Sequence, residues 1–190
     1  QSKVFAKAIL HNAERLSDMV SSLLDLSRID YGELKLNIEE LDINDHIDKA
    51  IDAIKNLGKR KNISINCSCS KGKLVLADKN ALERILNNLI ENAFKYSEPE
   101  SRINISTRKV KDHLEISVKD SGKGIPQQEH DYIFDRFYRT AEARATEEKG
   151  SGLGLAIVKN LVNNLNGEVG VKNAKPQGSI FWFTLPLKTS

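Results

Sequence analysis

The sequence predicts an α/β domain preceded by one long helix. Three observations predict it. Stretches with period-2 apolar alternation interleave with stretches of helical periodicity. Apolar residues over the first ~30 positions keep a 4-3 spacing, the pattern of a helix-bundle seam. The 190 residues, 39% hydrophobic and 29% charged, are enough for one core plus an appendage.

The leading helix carries Phe5, Ile9, Asn12, Leu16, Met19, Leu23 and Leu26 along its seam, widened by Ala13, Val20 and Leu24. One helix cannot bury that stripe alone, so the segment wants partners. Asn12 within the seam is the kind of polar residue that fixes register. His11 beside it is followed by Asn12 rather than an acid, and reads as a structural or solvated histidine. Tyr31-Gly32 ends the helix.

Leu34 to Ile43 alternates as a strand. Asn44 or Asp45 is expected to cap the next helix, with Ile47, Ala50, Ile51, Ile54 and Leu57 buried and Gly58 as its stop. Strands follow at Ile63 to Cys69 and Lys73 to Ala77, around Lys71-Gly72. Asp78 caps a helix that runs through LNNLIENAFKY (86–96) and breaks at Ser97-Glu98-Pro99. Arg102 to Val110 and His113 to Lys119 form a hairpin about Lys111-Asp112. Thr140 to Lys149 is small and charged, with too little apolar surface to hold itself down. Leu155, Ile157, Val158, Leu161, Val162 and Leu165 form the stripe of a last helix, stopped by Gly167. Glu168 to Val171 and Ser179 to Leu185 complete the sheet.

The composition excludes several classes. The net charge of +3 and pI near 8.8 are mild, and the cations are interleaved with acids, so no nucleic-acid or membrane patch is present. No apolar run approaches the ~18 residues of a bilayer span, and the N-terminus has no signal-peptide pattern. The chain opens in mid-helix character and reads as a fragment, a cytoplasmic one, whether or not its parent is membrane-bound. Cys67 and Cys69 would face the same side of a strand. Without clustered histidines they make neither a metal site nor a disulfide framework, and read as ordinary strand residues of a cytosolic protein.

Three stretches carry chemistry. In LNNLIENAFKY, Leu86, Leu89, Ile90, Ala93 and Phe94 make the apolar stripe, while Asn88 and Asn92 stack four apart on a neighbouring face. Uncharged amide oxygens, followed by Lys95 and Tyr96, suit a magnesium nucleotide: oxygen to metal, ammonium to phosphate, ring to base. In Asp120-Ser121-Gly122-Lys123-Gly124-Ile125-Pro126, an acid at a strand end precedes two glycines that admit a flat ligand. Its carboxylate can accept from an exocyclic amino group such as that of adenine. Gly150-Ser151-Gly152-Leu153-Gly154-Leu155 opens a helix whose N-terminal N–H groups favour phosphate. This is neither a P-loop, which needs lysine where Leu155 stands, nor a dinucleotide fingerprint, which directly follows a strand. Each stretch by itself is equally readable as an amphipathic helix face or a glycine turn.

Their order is specific. LNNLIENAFKY, DSGKGI, IFDRFYR, GSGLGLAIV and GSIFWFTLP together resemble the catalytic, ATP-binding domain of sensor histidine kinases. ERLSDMVSSLLDLSRIDYGEL looks like the second helix of their dimerisation domain and the linker after it. The resemblance implies a two-layer α/β sandwich: a mixed sheet with helices on one face and ATP under a flexible lid. It implies residues 1–32 as the second dimerisation helix, 33–45 as linker and first strand, and 46–188 as the catalytic domain. Asn92 would then be the magnesium ligand. Asn88 would hold the metal–phosphate end and orient the incoming histidine, Lys95 would contact phosphate, and Tyr96 would pack near adenine. Asp120 would bind the adenine amino group, with Gly122, Gly124 and Ile125 beside the base. Phe134, Phe137 and Tyr138 would anchor the lid, and Arg136 or Arg139 would reach the γ-phosphate. Gly150, Ser151, Gly152, Leu153 and Gly154 would cradle the phosphates, and Ser179, where the family often has threonine, would hold a water beside the adenine.

The implied reaction moves a phosphoryl group from Mg-ATP to a histidine, then to an aspartate of a response regulator receiver domain. The parent would be a homodimer through its bundle helices. One departure stands out: no H-E-L-R-T-P-like acceptor stretch is present, so the acceptor helix is expected before Gln1. Two rivals have distinct signatures. A superfamily ATP hydrolase needs a carboxylate four residues before the metal asparagine, where Asn88 stands; Glu91 points roughly 100° away around the helix. A nucleotide-binding regulatory module would work through contacts of the leading helix without phosphotransfer.

Overall fold

A computed structural model describes residues 9–10, 13, 16–17, 19–24, 26–28, 31, 33–58, 61–145 and 150–188, the side chains of 55–58, 142 and 145 excepted. Phe5, His11, Asn12, Gly32, residues 146–149 and the side chain of Leu57 therefore lie outside the described set.

The described residues from 9 to 28 are helical (α1). Leu26 is fully buried and Met19 packs against the core, whereas Ile9, Leu10, Leu16, Val20, Leu23 and Leu24 stay exposed. Bonds from Tyr31 N to Ser27 O and from Glu33 N to Arg28 O close its C-terminal end. β1 (Ile38–Asp42), α2 (Ile43–Gly58), β2 (Ser64–Ser68), β3 (Leu74–Asp78) and α3 (Lys79–Tyr96) follow. Then come β4 (Arg102–Val110), β5 (His113–Lys119), a 3-10 turn (Gln127–Glu129), α4 (Ala141–Ala145), α5 (Gly154–Asn164), β6 (Val169–Asn173) and β7 (Ser179–Pro186).

The main sheet has five strands in the order β2-β4-β5-β7-β6; only β2 and β4 run parallel. β1 and β3 form a separate antiparallel pair. The two sheets are tied where Val75 bridges Leu187 and Lys188 N donates to Leu74 O. Alternation sets the faces: Leu114, Ile116 and Val118 of β5 and Phe181, Phe183 and Leu185 of β7 are buried under α3 and α5. On the other face Trp182 covers Gly170, where a Cβ would lie 2.5 Å from the indole.

α3 is the central helix. Ala81, Leu82, Ile85, Leu86, Leu89, Ile90, Ala93 and Phe94 recur at three- and four-residue steps and are all buried. Each large apolar side chain so buried contributes about 1.5–3 kcal/mol. Asp78 caps the helix as expected, Oδ1 accepting from Ala81 N at 2.9 Å, and its Oδ2 also accepts from Asn37 N at 2.9 Å.

Several local expectations change. The first strand begins at Ile38, not Leu34, and Ile43 already belongs to α2. Asp42, rather than Asn44 or Asp45, supplies the capping oxygen, accepting from Asn44 N at 2.9 Å. β2 and β3 do not pair with each other, because their partners β4 and β1 lie in different sheets. Asn166, not Gly167, takes the left-handed position after α5, with φ 58°, and Gly167 N reaches back to Val162 O. Gly167 is needed instead because Thr184 O occupies the space of a side chain. Within the polar 140–149 stretch, Ala141–Ala145 is helical, Ala143 is buried, and Thr140 Oγ1 accepts from Ala143 N. Cys67 lies on β2 and Cys69 just past its end, and the two are joined as a disulfide rather than standing as ordinary strand residues. Among the described residues no helix is long and apolar enough to cross a membrane.

Candidate functional site

The buried stripe of α3 leaves Asn88 and Asn92 half-buried on an adjacent face. Asn88 Nδ2 donates to Arg84 O at 2.8 Å, and Oδ1 sits against the start of α5: a Cβ on Gly154 would lie 2.5 Å from it. The Asn92 side chain makes no hydrogen bond among the described residues, so its amide is uncommitted. One turn on, Lys95 Nζ lies 5.1 Å from the Tyr96 ring centroid. A Cβ on Gly150 would lie 2.8 Å from that ammonium. The C-terminal end of α3 is held by Ser97 N donating to Ala93 O and by Lys61, whose Nζ donates to Lys95 O at 2.8 Å. A cation at that end also meets the negative pole of the helix.

Asp120 lies beyond that same end of α3. It follows β5, is only 4% exposed, and its Oδ1 accepts from both Gly122 N and Ser179 N at 2.9 Å. Both backbone donors meet the same oxygen, which leaves Oδ2 clear of them. Burial pushes the carboxyl above its ordinary value, against the pull of the Gly122 and Ser179 hydrogen bonds. Gly122 lies against the end of α3, where a Cβ would come 2.6 Å from Tyr96 O. The helix carrying the amides and the turn carrying the acid are thus in direct contact. Ser179 is buried and serves Asp120 through its backbone N–H as well as its hydroxyl, and the backbone share is a role its type did not announce.

The third wall is the glycine segment. Gly152 has φ +74°, and a Cβ there would meet Phe137 2.8 Å away, while Phe137 N donates to Gly152 O at 3.0 Å. Leu153 is fully buried and its N–H donates to Ser151 Oγ at 3.2 Å. No side chain caps α5, so its first N–H groups remain available to an anion. Phe134 is buried and Tyr138 stacks on Tyr132 at 6.0 Å. Phe137 differs: its ring is exposed, and its backbone, at φ 61°, makes the contact. Arg139 is engaged with α4 through Ala143 O, whereas Arg136 is exposed.

Three contributors escaped the sequence reading, Lys61, His130 and Asn173, and Gly178 entered it only as the first letter of GSIFWFTLP. Gly178 has φ +106° and presses on Asp120 O. Asn173 and Ile125 are 48 residues apart, and no local pattern marks such a pair. The residues assembled here fit an adenine nucleotide with a divalent cation: an uncommitted side-chain amide at Asn92, an ammonium at Lys95, glycines packed against Asn88 and Lys95, and a buried acid beyond the end of α3.

Comparison with known proteins agrees. Residues 77–189 match the histidine kinase-, DNA gyrase B-, and HSP90-like ATPase family. The sensor-like histidine kinase SenX3 of Mycobacterium bovis is 36% identical over 182 residues, covering 96% of this chain and 44% of SenX3. The chain thus spans less than half the length of the curated relatives it matches. The mycobacterial sensor histidine kinase MprB superposes with a TM-score of 0.71 at 30% identity, over 81% of this chain and 100% of that one. Full-length ShkA in complex with AMPPNP gives 0.86 at 27% identity, over 99% of this chain and 39% of ShkA. With amide helix, acid turn and glycine segment arranged around one site, the chain belongs to the histidine kinase-, DNA gyrase B-, and HSP90-like ATPase family.

Proposed function

We propose that this chain is the ATP-binding catalytic part of a sensor histidine kinase. It transfers the γ-phosphoryl group of ATP to a histidine outside residues 1–190, from which the group passes to an aspartate of a response regulator receiver domain. The observation that carries this reading is the meeting of Asn88 Oδ1 and Lys95 Nζ with Gly154 and Gly150, while Asp120 lies buried beyond the end of the same helix. Phosphoryl transfer relies on positioning and charge stabilisation, which amides, N–H groups and cations supply without a nucleophile of the protein's own.

Asp120 reads the adenine amino group through Oδ2, with Gly122, Gly124 and Ile125 beside the ring, Tyr96 at its edge and Ser179 holding the acid. Asn92 holds magnesium, which neutralises phosphate charge when bound. Asn88 and Lys95 steady the phosphate end, and Gly150, Ser151, Gly152, Leu153 and Gly154 offer their N–H groups. Arg136 or Arg139 reaches for the γ-phosphate. Hydrolysis is not favoured: Asn88 occupies the place of a general base, and Glu91 is exposed on another face. Residues 1–32 act as the second dimerisation helix, 33–45 as linker and first strand, and 46–188 as the catalytic domain. The exposed apolar side chains of α1 then face a bundle in a homodimeric parent, whose cytoplasmic portion this chain would be.

The test mixes the chain with a separate histidine-bearing dimerisation domain and γ-labelled ATP. Acid-labile, base-stable label on the added domain is the expected result. Tight ATP binding with no transfer would favour a regulatory nucleotide-binding module. Asn92→Ala should weaken magnesium-dependent ATP binding more than binding of a metal-free adenine compound, as calorimetry can measure.

A further inference from the structure

The turn that would lie beside the purine is held from outside by two side chains. Gly124 has φ +84°, so Ile125 leaves the turn with no strand neighbour for its N–H and C=O. Asn173, the last residue of β6, supplies both partners. Its Oδ1 accepts from Ile125 N at 2.9 Å and its Nδ2 donates to Ile125 O at 2.8 Å. A carboxamide presents donor and acceptor side by side, as a paired strand would; only Asn and Gln can meet both groups at once. The amide orientation is fixed by this pairing, since the flipped form sets two donors and two acceptors face to face. His130, after the 3-10 turn, lies 3.0 Å from the same Ile125 carbonyl through Nε2 and donates when that nitrogen carries the proton.

The same hairpin also grips the acid. Asn173 pairs with Ser179 across β6 and β7, Ala174 N bonds Gly178 O at 2.8 Å, and Ser179 N holds Asp120. A Cβ on Gly124 would lie 3.2 Å from Asn173 Oδ1 and 3.3 Å from Gly178 O, so turn and hairpin are in contact. One short β6–β7 connection therefore sets the spacing between the buried carboxylate and the Gly122–Ile125 backbone.

We propose that Asn173, seconded by His130, is a positioning residue for purine binding: its amide splints the Gly124-Ile125 turn at the right distance from Asp120. This rests on the reading of Asp120 as the adenine acceptor. Asn173 is exposed to solvent and touches no reacting atom, so its effect falls on nucleotide affinity rather than on transfer.

Asn173→Asp keeps shape and the acceptor for Ile125 N but sets a carboxylate oxygen against Ile125 O. It should raise Kd for both ATP and ADP by the same factor, about three- to tenfold, the weight of one such hydrogen bond. KM for ATP should rise with it, while kcat for label transfer at saturating ATP, and Tm without nucleotide, stay near the parent. His130→Gln, which keeps an N–H donor, should bind like the parent, and His130→Phe should weaken binding in the same direction as Asn173→Asp. Parent-like ATP affinity in Asn173→Asp, or loss of kcat and Tm with KM unchanged, overturns the positioning role. Asp120→Asn is the control. If it binds ATP like the parent, the purine site is wrong and the inference falls with it; if it loses binding while Asn173→Asp does not, the inference alone fails.

Discussion

Asp120 carries opposing demands. Its carboxylate is buried for a ligand, and burial raises its pKa above 3.8 despite two backbone donors. The folded chain therefore holds that proton more tightly than the unfolded chain. Stability falls as pH rises from the unfolded value through the folded one, and the loss persists at neutral pH. Asp120→Asn keeps Oδ1 as acceptor and removes the charge. It should raise the neutral-pH Tm of the nucleotide-free protein while weakening ATP binding roughly 10- to 100-fold, the range of a lost charged hydrogen bond. Calorimetric melting and ATP titration of the same sample check both directions; a lowered Tm would contradict the burial argument. Gly154→Ala has a different cause. Its Cβ would lie 2.5 Å from Asn88 Oδ1, so the amide must move, and Mg-ATP binding should drop even though Ala favours the helix.

At the scale of elements, caps and end contacts hold the site helices. Asp78 satisfies Ala81 N and, across to the linker, Asn37 N. Asp78→Ala should cost about 1–2 kcal/mol in urea unfolding. His113 ties the β4–β5 turn to the end of α5: Nδ1 meets Asp112 Oδ1 at 2.8 Å and Nε2 meets Asn166 O at 3.0 Å. The Asp112 hydrogen bond raises its pKa above 6.5. Its contribution is thus complete below pH 6.5 and is lost as pH rises through the folded value. His46, buried beside Glu83, acts oppositely: desolvation lowers its pKa, so acid works against the fold there. The stability difference between the parent and His113→Gln should therefore be larger at pH 6 than at pH 9, whatever the shape of the parent curve. A constant difference would remove His113 from the account.

For the whole molecule, one core joins sheet, α2, α3 and α5, and Leu26 of the leading helix enters it. Phe183, fully buried at the centre of β7, should cost about 3–5 kcal/mol as Ala, with an accompanying fall in Tm. The chain is also expected to hydrolyse ATP only slowly in steady-state assays, since no carboxylate stands one turn before Asn92. Fast turnover in the unmodified chain would move it toward the hydrolytic members of its family.

Periodicity alone determined most elements: the β4–β5 hairpin, the buried stripe of α3 and its Asp78 cap follow from local sequence, because neighbours along a helix or hairpin are fixed by backbone geometry. The motif order likewise led to the expectation that Asn88, Asn92, Lys95, Asp120 and the glycines share one site, and the structure brings Gly154 to Asn88, Gly150 to Lys95 and Gly122 to the end of α3. Tertiary structure alone decided what holds those residues. The pairing of β3 with β1, the hold of Ser179 on Asp120, the backbone bond of Phe137 to Gly152 and the Asn173–Ile125 contact join segments far apart in sequence. Such contacts depend on strand order and turn conformation, which side-chain pattern along a single segment does not encode.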